Sequence, residues 1–544
     1  MDPRSDRGRN DLRAGRWLWA AALVLAAGAL FVAYLRLSNT FPEDSDQANL
    51  GLQAQEMLHG NLLLHGWNLS DTSFYTTELP QYMLLEPILG LNTGMFHAAA
   101  AMTYTLAVLL AALLAKGHAT GRRGVIRALV AGGIMLAPQL GSSVMILLEM
   151  VGHIGTSVPL LVIWLVLDRM RARWYLPVVI GVLLAWAAVG DSLILAVGVA
   201  PLVLVGAVRV LQGVLRTVRT RGPDATAPWA RRIRRELRSR WLELSLAGAA
   251  LAAAGLSWAA VKAIGASGGY RLHAVTFHIE PVSQWAGNLT ATWRGVLLLF
   301  GADYTGGTGR GFALLHLVGV ALVVIALLLA FWRFFTGASL VEQVLAVAIV
   351  INVVAFLASN LATLNAHEMA VVLPFGAALA GRMLAGRPGR AGRLAAWARA
   401  AALAAGAVVL GGYLAGLGTE VSHPPVPAAK TALASWLAAH HLSYGLGGYW
   451  EAGIVTVESG GRVKVRALTL GTLQANTWES KGSWYDPRAN RATFVALDSQ
   501  PGYLNYWEPS ALVRRYFGVP SRTYHFAPYT VLVWDRNLLP GIPG

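Results

Sequence analysis

Between residues 17 and 419 the chain repeatedly runs for a helix length without an Asp, Glu, Lys or Arg: 17–35, 87–115, 128–148, 150–167, 174–190, 192–208, 244–261, 311–332, 343–367, 369–381 and 400–419. A helix needs roughly 20 apolar residues to cross a bilayer core, where no water satisfies a polar group. The runs predict about 11 transmembrane helices, although 369–381 reaches that length only by continuing past Arg382. Apolar residues make up 55% of the sequence and charged residues 13%, a balance that excludes a water-soluble enzyme. The first run continues into Tyr34, Leu35 and Arg36 without a small-residue cleavage site, so it reads as a retained anchor rather than a signal peptide.

The 44 Lys plus Arg exceed the 28 Asp plus Glu, giving +16, and the excess lies between the apolar runs. That pattern marks a basic inner membrane face rather than a nucleic-acid partner. Five Arg fall in 1–16, three Arg and Lys116 in 116–127, three Arg in 169–173, ten in 209–240 and five in 382–399. Residues 37–115 carry no Lys or Arg but hold Glu43, Asp44, Asp46, Glu56, Asp71, Glu78 and Glu86. The N-terminus is therefore expected on the cytoplasmic side of the cell membrane, and an odd span count puts the C-terminal segment outside.

The expected architecture is an α-helical polytopic membrane protein with a small C-terminal extracytoplasmic α/β domain. Residues 1–16 form an Arg-rich cytoplasmic tail, 17–419 the membrane domain with outer loops 37–93 and 263–310, and 420–544 the outer domain. In that last segment Pro424, Pro425 and Pro427 precede a helix-like stretch to His440, and Gly453–Glu458 and Arg462–Leu468 read as strands around a turn at Ser459-Gly460-Gly461. The Arg-rich 231–240 reads as a helix anchored on lipid headgroups. With no Cys, carboxylates, His and backbone must carry any chemistry. The sequence shows no repeat, P-loop, Rossmann glycine pattern or zinc spacing.

The densest polar constellation is F41-P-E-D-S-D-Q-A-N-L-G-L-Q-A-Q-E-M-L-H-G60, a few residues beyond the first run, so Asp46 falls at the membrane surface. Leu50, Ala54, Met57 and Leu58 recur at helical spacing and predict a short amphipathic helix on the membrane, ended by Gly60. Two readings of its acids stand side by side. Asp44 or Ser45 is an N-cap and Asp46 a first-turn carboxylate, worth about 1 kcal/mol, or Asp46 is a catalytic carboxylate. In F74-Y-T-T-E-L-P80, Glu78 precedes a second apolar segment, Leu79–Leu91; interfacial solvation is the plainer account.

Glu149 and His153, four apart in L147-L-E-M-V-G-H-I-G-T156, would share a helical face and could bind a divalent ion or hold a proton, or be headgroup-wetted helix ends. Asp191, between the fifth and sixth spans, could face the same outer cavity or mark a short turn, and the turn is the plainer reading. Arg294, before G295-V-L-L-L-F-G301, could meet a phosphate or snorkel. In the tail, Y444-G-L-G-G-Y-W450, W478-E-S-K-G-S-W-Y-D486 and Y524-H-F-A-P-Y-T-V-L-V-W534 offer aromatic platforms for sugar rings, or simple packing.

The acid-rich first loop with D46-Q-A-N-L-G-L-Q-A-Q-E-M-L-H-G60, Y75-T-T-E78 downstream and V372-L-P-F-G-A-A-L-A-G-R382 late in the chain resemble the polytopic glycosyltransferases of the GT-C superfamily. Bacterial relatives of dolichyl-phosphate-mannose protein mannosyltransferases are most similar in feel, over roughly residues 15–420. The resemblance implies a polyprenyl-phosphate sugar donor, a glycan, lipid or protein acceptor, and inversion at the transferred sugar. Asp46 matches the family's first acid, its general base; Gln47 departs from a frequent Glu, leaving Asp44 as a substitute partner. Relatives commonly have Arg-Tyr where this chain reads A366-H-E-M-A-V-V-L-P374, so His367 or Arg294 would face the donor phosphate. Tyr75, Glu78, Glu149, His153 and Glu368 complete the expected substrate-binding set. No metal is required, although Asp44 and Asp46 could hold Mg²⁺ or Mn²⁺ through oxygen ligands. The rival readings are a transporter or lipid flippase, which predicts ionisable residues on broken spans near the bilayer midplane, and a non-catalytic glycan-binding scaffold.

Overall fold

The computed structural model describes residues 3–543 apart from 139–141, 149–151, 220–228, 276, 306–308, 364–365, 385–392 and 499–509. Among the described residues, seven helices are long and apolar enough to cross a membrane: Ala21–Ser38, Thr93–Lys116, Leu195–Val218, Trp241–Ala266, Arg310–Trp332, Leu340–Ala358 and Ala400–Val421. The other expected spans are shorter helices, Gly121–Ile134, Ser142–Leu148, Ser157–Arg169, Tyr175–Gly190 and Val372–Leu384. The protein is a multi-pass membrane protein. Its apolar side chains point outward as well as inward, with Trp186, Leu251, Trp258, Leu328 and Trp332 exposed, as a lipid solvent permits.

A buried cation inside the bundle is paired, because an isolated charge there is costly. Arg382 is buried against Asp168 at 2.8 Å and Glu342 at 3.4 Å. Glu342 also closes a capping box with Ser339 at the start of Leu340–Ala358, satisfying backbone donors that the first helical turn leaves free.

Residues from 431 onward form a five-stranded mixed sheet with helices Thr431–Ala439, Tyr449–Glu458 and Ser510–Phe517, called the outer domain after the side that the sequence predicts for it. Tyr444–Gly447 is central to three parallel strands, flanked by Lys464–Ala467 and Phe494–Asp498; Tyr529–Val533 and Arg522–Phe526 complete the sheet antiparallel. Gly453–Glu458, expected as a strand, is instead the second half of helix Tyr449–Glu458. Its β-branched residues favour a strand only weakly, and burying Ile454, Val455 and Val457 on several sides overrides that preference.

Three regions distant in sequence are stitched together by a small second sheet. Trp67–Leu69 pairs parallel with Arg271–Leu272 and antiparallel with Ser480–Lys481. The first-loop helix, Ser45–Leu58, packs between Tyr449–Glu458 of the outer domain and the helices Leu79–Leu89 and Thr93–Lys116. It is buried nearly all round, including Gln47, Asn49 and Gln53, so it is an inter-domain helix rather than an amphipathic helix lying on a membrane surface. Gly453 permits this approach: a Cβ there would stand 2.6 Å from Asn49 Oδ1.

Candidate functional site

The loop after the first helix is fixed before its acids can act. Glu43 Oε1 meets His97 Nε2 at 2.9 Å, and His97 Nδ1 meets Ser38 Oγ at 2.8 Å. Asp44 is the N-cap of Ser45–Leu58, with its Oδ1 accepting from the backbone N–H of Asp46 at 3.0 Å and of Gln47 at 3.2 Å, while Gln47 answers as the other half of a capping box. Gln47 thus serves the helix start.

The Asp46 carboxylate is turned away from the cap. It accepts a hydrogen bond from the hydroxyl of Tyr449, which also lies 2.8 Å from Glu479 Oε2. Asn49 Nδ2 donates to both Tyr449 Oη and Glu479 Oε2 at 3.3 Å. Burial raises Asp46 above the usual carboxylate range, against the Tyr449 hydrogen bond and the charge of His367, which draw it down. Burial and the neighbouring Asp46 push Asp44 up to about 8, and the same two causes hold Glu479 well above its ordinary value. Repulsion between neighbouring carboxylates thus adds to burial at Asp44 and Glu479.

Beyond His367 the polar band continues. His153 Nδ1 lies 2.6 Å from Asp191 Oδ2 and its Nε2 lies 3.0 Å from Glu368 Oε2. His367 Nε2 is 3.5 Å from Glu368 Oε1, and the two imidazoles stack with centroids 5.8 Å apart. Thr156 donates its hydroxyl to Asp191. Asp191 fits both readings of the sequence, ending helix Tyr175–Gly190 as its C-cap and orienting His153 with its side chain. Ligand atoms of His153, His367 and Glu368 all lie within 4.8 Å of one another, a set that fits a divalent cation, with Asp191 on the far ring nitrogen as metal-binding histidines commonly require. Asp44, expected as a metal ligand, has an oxygen committed to the cap.

The first loop returns to this cluster. Ser73 Oγ donates to Val189 O at 2.7 Å and Phe74 N to Gly190 O at 2.8 Å. Glu78 is fully buried, packed so closely on Gly155 that a Cβ there would stand 1.8 Å from its Oε1. Burial, with Asp191 adding to it, pushes Glu78 up to about 8. Burial and the Glu368 charge raise Asp71 as well.

The structure thus gathers Asp46, Glu78, His153, His367 and Glu368 along one polar band. Tyr75 stays at its edge, its hydroxyl donating to Leu62 O at 2.7 Å and its ring tilted on Tyr270. Arg294 is exposed on helix Trp285–Leu299, next to Gly295, which packs on Ala366 and Met369 of the turn that carries His367. Glu149 lies outside the described residues. Tyr449 and Glu479 were not foreseen as site residues; the aromatic runs around them were the one available signal.

No protein-family model and no curated protein sequence matches the chain. Among solved structures, it is similar to ArnT from Cupriavidus metallidurans bound to undecaprenyl phosphate, at 14% identity over 94% of this chain and 97% of that one, with a TM-score of 0.54. It is also similar to the Archaeoglobus fulgidus oligosaccharyltransferase tethered to an acceptor peptide, at 15% identity over 88% of this chain and 69% of that one, with a TM-score of 0.48. Helical bundle and outer domain together define a polytopic membrane protein with an extramembrane sheet. More particularly, the chain has the GT-C fold.

Proposed function

We propose that this protein is a glycosyltransferase of the cytoplasmic membrane that moves a sugar from a polyprenyl-phosphate carrier to an acceptor on the outer side. The observation that carries the reading is the placement of Asp46: a carboxylate just beyond the first span, not consumed by helix capping, with its oxygen turned toward the outer domain. A lipid-linked sugar keeps its phosphate at the interface, so a base acting on it must sit within a few residues of a span. That a structure of the same fold binds undecaprenyl phosphate supports a donor of this class.

In this reading Asp46 takes the proton of an acceptor hydroxyl, whose oxygen attacks the anomeric carbon as the bond to the phosphate oxygen breaks, with inversion. Polyprenyl phosphate leaves with the bonding pair. Arg294 and His367 would face that phosphate, and Tyr449 and Glu479 hold the base in place. His153, His367 and Glu368 would hold a divalent cation, which when bound supplies positive charge to the leaving phosphate. The N-terminus and the Arg-rich helix Trp229–Ser239 lie on the cytoplasmic side.

The test is transfer by the purified protein in lipid, supplied with undecaprenyl-phosphate sugars and an extract of envelope glycans. Sugar must leave the carrier in the wild type and stay on it with Asp46→Asn. Turnover by a folded Asp46→Asn protein equal to wild type would refute the assignment. Metal content after dialysis, compared between wild type and His153→Ala, examines the cation separately.

A further inference from the structure

A cavity of about 600 Å³ opens between the first-loop helix and the outer domain, away from the acids above. Its charged lining is Glu56, Lys464, Arg466 and Lys481, with Tyr444 and Trp484 among its aromatic walls. Lys481 Nζ binds both Glu56 oxygens, at 3.0 and 2.8 Å, so that pair is neutral. Lys464 and Arg466 remain as excess positive charge.

Arg466 is unusual for a guanidinium. Only 6% of it is exposed, its plane lies over the Trp484 ring at 3.9 Å, and its Nε is buried without a hydrogen-bond partner. A buried cation with an unmet donor is costly unless something meets it. Lys464, two positions earlier on the same strand, points to the same side of the sheet and is exposed. A guanidinium fork is matched by the paired oxygens of a carboxylate or phosphate. The volume is that of a small organic molecule rather than a bare ion, since ligand sites run to about 300–1,000 Å³. Tyr444, Trp484, Ser483 and Asn490 give the mixed apolar and hydroxyl-binding lining that sugars use.

We propose that this cavity binds an anionic saccharide, one whose ring carries a carboxylate or a phosphate, and that it does so as a subsite for the acceptor. Glu56 stands ten positions after Asp46 on one helix, about 15 Å along its axis. An acceptor anchored by its acidic sugar at Arg466 and Lys464 would extend along that helix and present a hydroxyl at Asp46. The acceptor role rests on the transferase reading; the binding does not.

The test is saturation-transfer NMR on the full-length protein in detergent, with glucuronic acid, glucose 6-phosphate and glucose as probes. At least one of the two acidic sugars should show transfer and glucose should not. Lys464→Gln, at an exposed position, should cut that signal at least fivefold, and Arg466→Gln should cut it further if it folds. Asp46→Asn should leave the signal unchanged, so loss of turnover and loss of this subsite are read apart. Equal signals from glucose, no signal from either acidic sugar, or a signal indifferent to Lys464→Gln would overturn the proposal.

Discussion

The hydroxyl of Tyr449 donates to the carboxylate of Asp46 across 403 positions of sequence. The bond joins the membrane-proximal loop to the outer domain at the proposed base. An Asn at position 46 is nearly isosteric and is accepted in a first helical turn, so Asp46→Asn should fold and bind lipid carrier. A lost general base costs about 10²–10⁴ in rate. Tyr449→Phe takes from Asp46 one hydrogen bond of about 0.5–1.5 kcal/mol, which corresponds to a loss near tenfold or less, and also deprives Glu479 and Asn49 of that hydroxyl. Steady-state transfer rates should therefore fall in the order wild type, Tyr449→Phe, Asp46→Asn. A reversed order would move the proton-accepting role away from Asp46.

Gly453 sets how closely the outer domain seats on the first loop. Its substitution by Val places a Cβ 2.6 Å from Asn49 Oδ1 and 3.2 Å from the Ser45 carbonyl oxygen, so overpacking of about 1–3 kcal/mol is expected. Gly482→Ala is the control, because nothing lies within 4 Å of a Cβ there. A lower melting temperature for Gly453→Val, with none for Gly482→Ala, checks the seating.

Glu78 is buried as an acid whose proton-bound form burial favours, its carboxyl pushed up to about 8. Gln keeps its shape and neutrality, so Glu78→Gln should change stability by less than about 1 kcal/mol, whereas Gly155→Ala, which drives a methyl into the same carboxyl, should cost about 1–3 kcal/mol. Chemical denaturation of the purified protein measures both. A severe loss for Glu78→Gln would show that the ionised form is the one the fold needs.

How much of this was legible before any coordinates follows the range of each interaction. The helix after Asp44 was readable because caps and apolar periodicity are local, and the helical membrane architecture because lipid demands long apolar runs. Helix Tyr449–Glu458 was misread at Gly453–Glu458, since what buries it comes from a strand and from a loop helix hundreds of positions away. His153 was paired in sequence with Glu149, its i–4 neighbour; in the structure its partners are Asp191 and Glu368, which no spacing announces. Tyr449 and Glu479 stood inside aromatic runs that were singled out for sugar stacking, and their contact with Asp46 needed the fold.

The outer domain should loosen as pH rises through neutrality. Glu458 accepts from the Lys430 backbone N–H at 3.1 Å, and burial raises its carboxyl to about 7, with Glu43 adding repulsion and Lys430 opposing it. The native state thus keeps a proton that the unfolded chain, near 4.5, has released. That contribution is full below the unfolded value and is lost as pH climbs through about 7. Glu451 follows the same direction, also raised to about 7 by burial. The wild-type melting temperature should be higher at pH 5 than at pH 8, and Glu458→Gln should shrink that difference by a few degrees, the scale of about 1 kcal/mol. An unchanged pH dependence in the variant would place the buried proton elsewhere.

Orientation is open to direct measurement, and burial decides which positions can serve as probes. Ser459, between the second helix and second strand of the outer sheet, is buried, with its hydroxyl bonded to Thr456 O at 3.0 Å and Val463 O at 3.1 Å, so a Cys there would stay dark on either side of the membrane. Thr472 is exposed on the outer domain and Ser239 is exposed at the end of the Arg-rich helix Trp229–Ser239. The chain has no Cys of its own, so each introduced thiol reports alone. Retention of cations on the cytoplasmic side requires that an impermeant maleimide label Thr472→Cys on intact cells and reach Ser239→Cys only after permeabilisation. The opposite pattern would turn the whole bundle over, and with it the face on which Asp46 meets its acceptor. Labelling of both positions on intact cells would mean an extra or a missing crossing between residues 239 and 472, a stretch in which Val372–Leu384, at 13 residues, is the shortest of the expected spans.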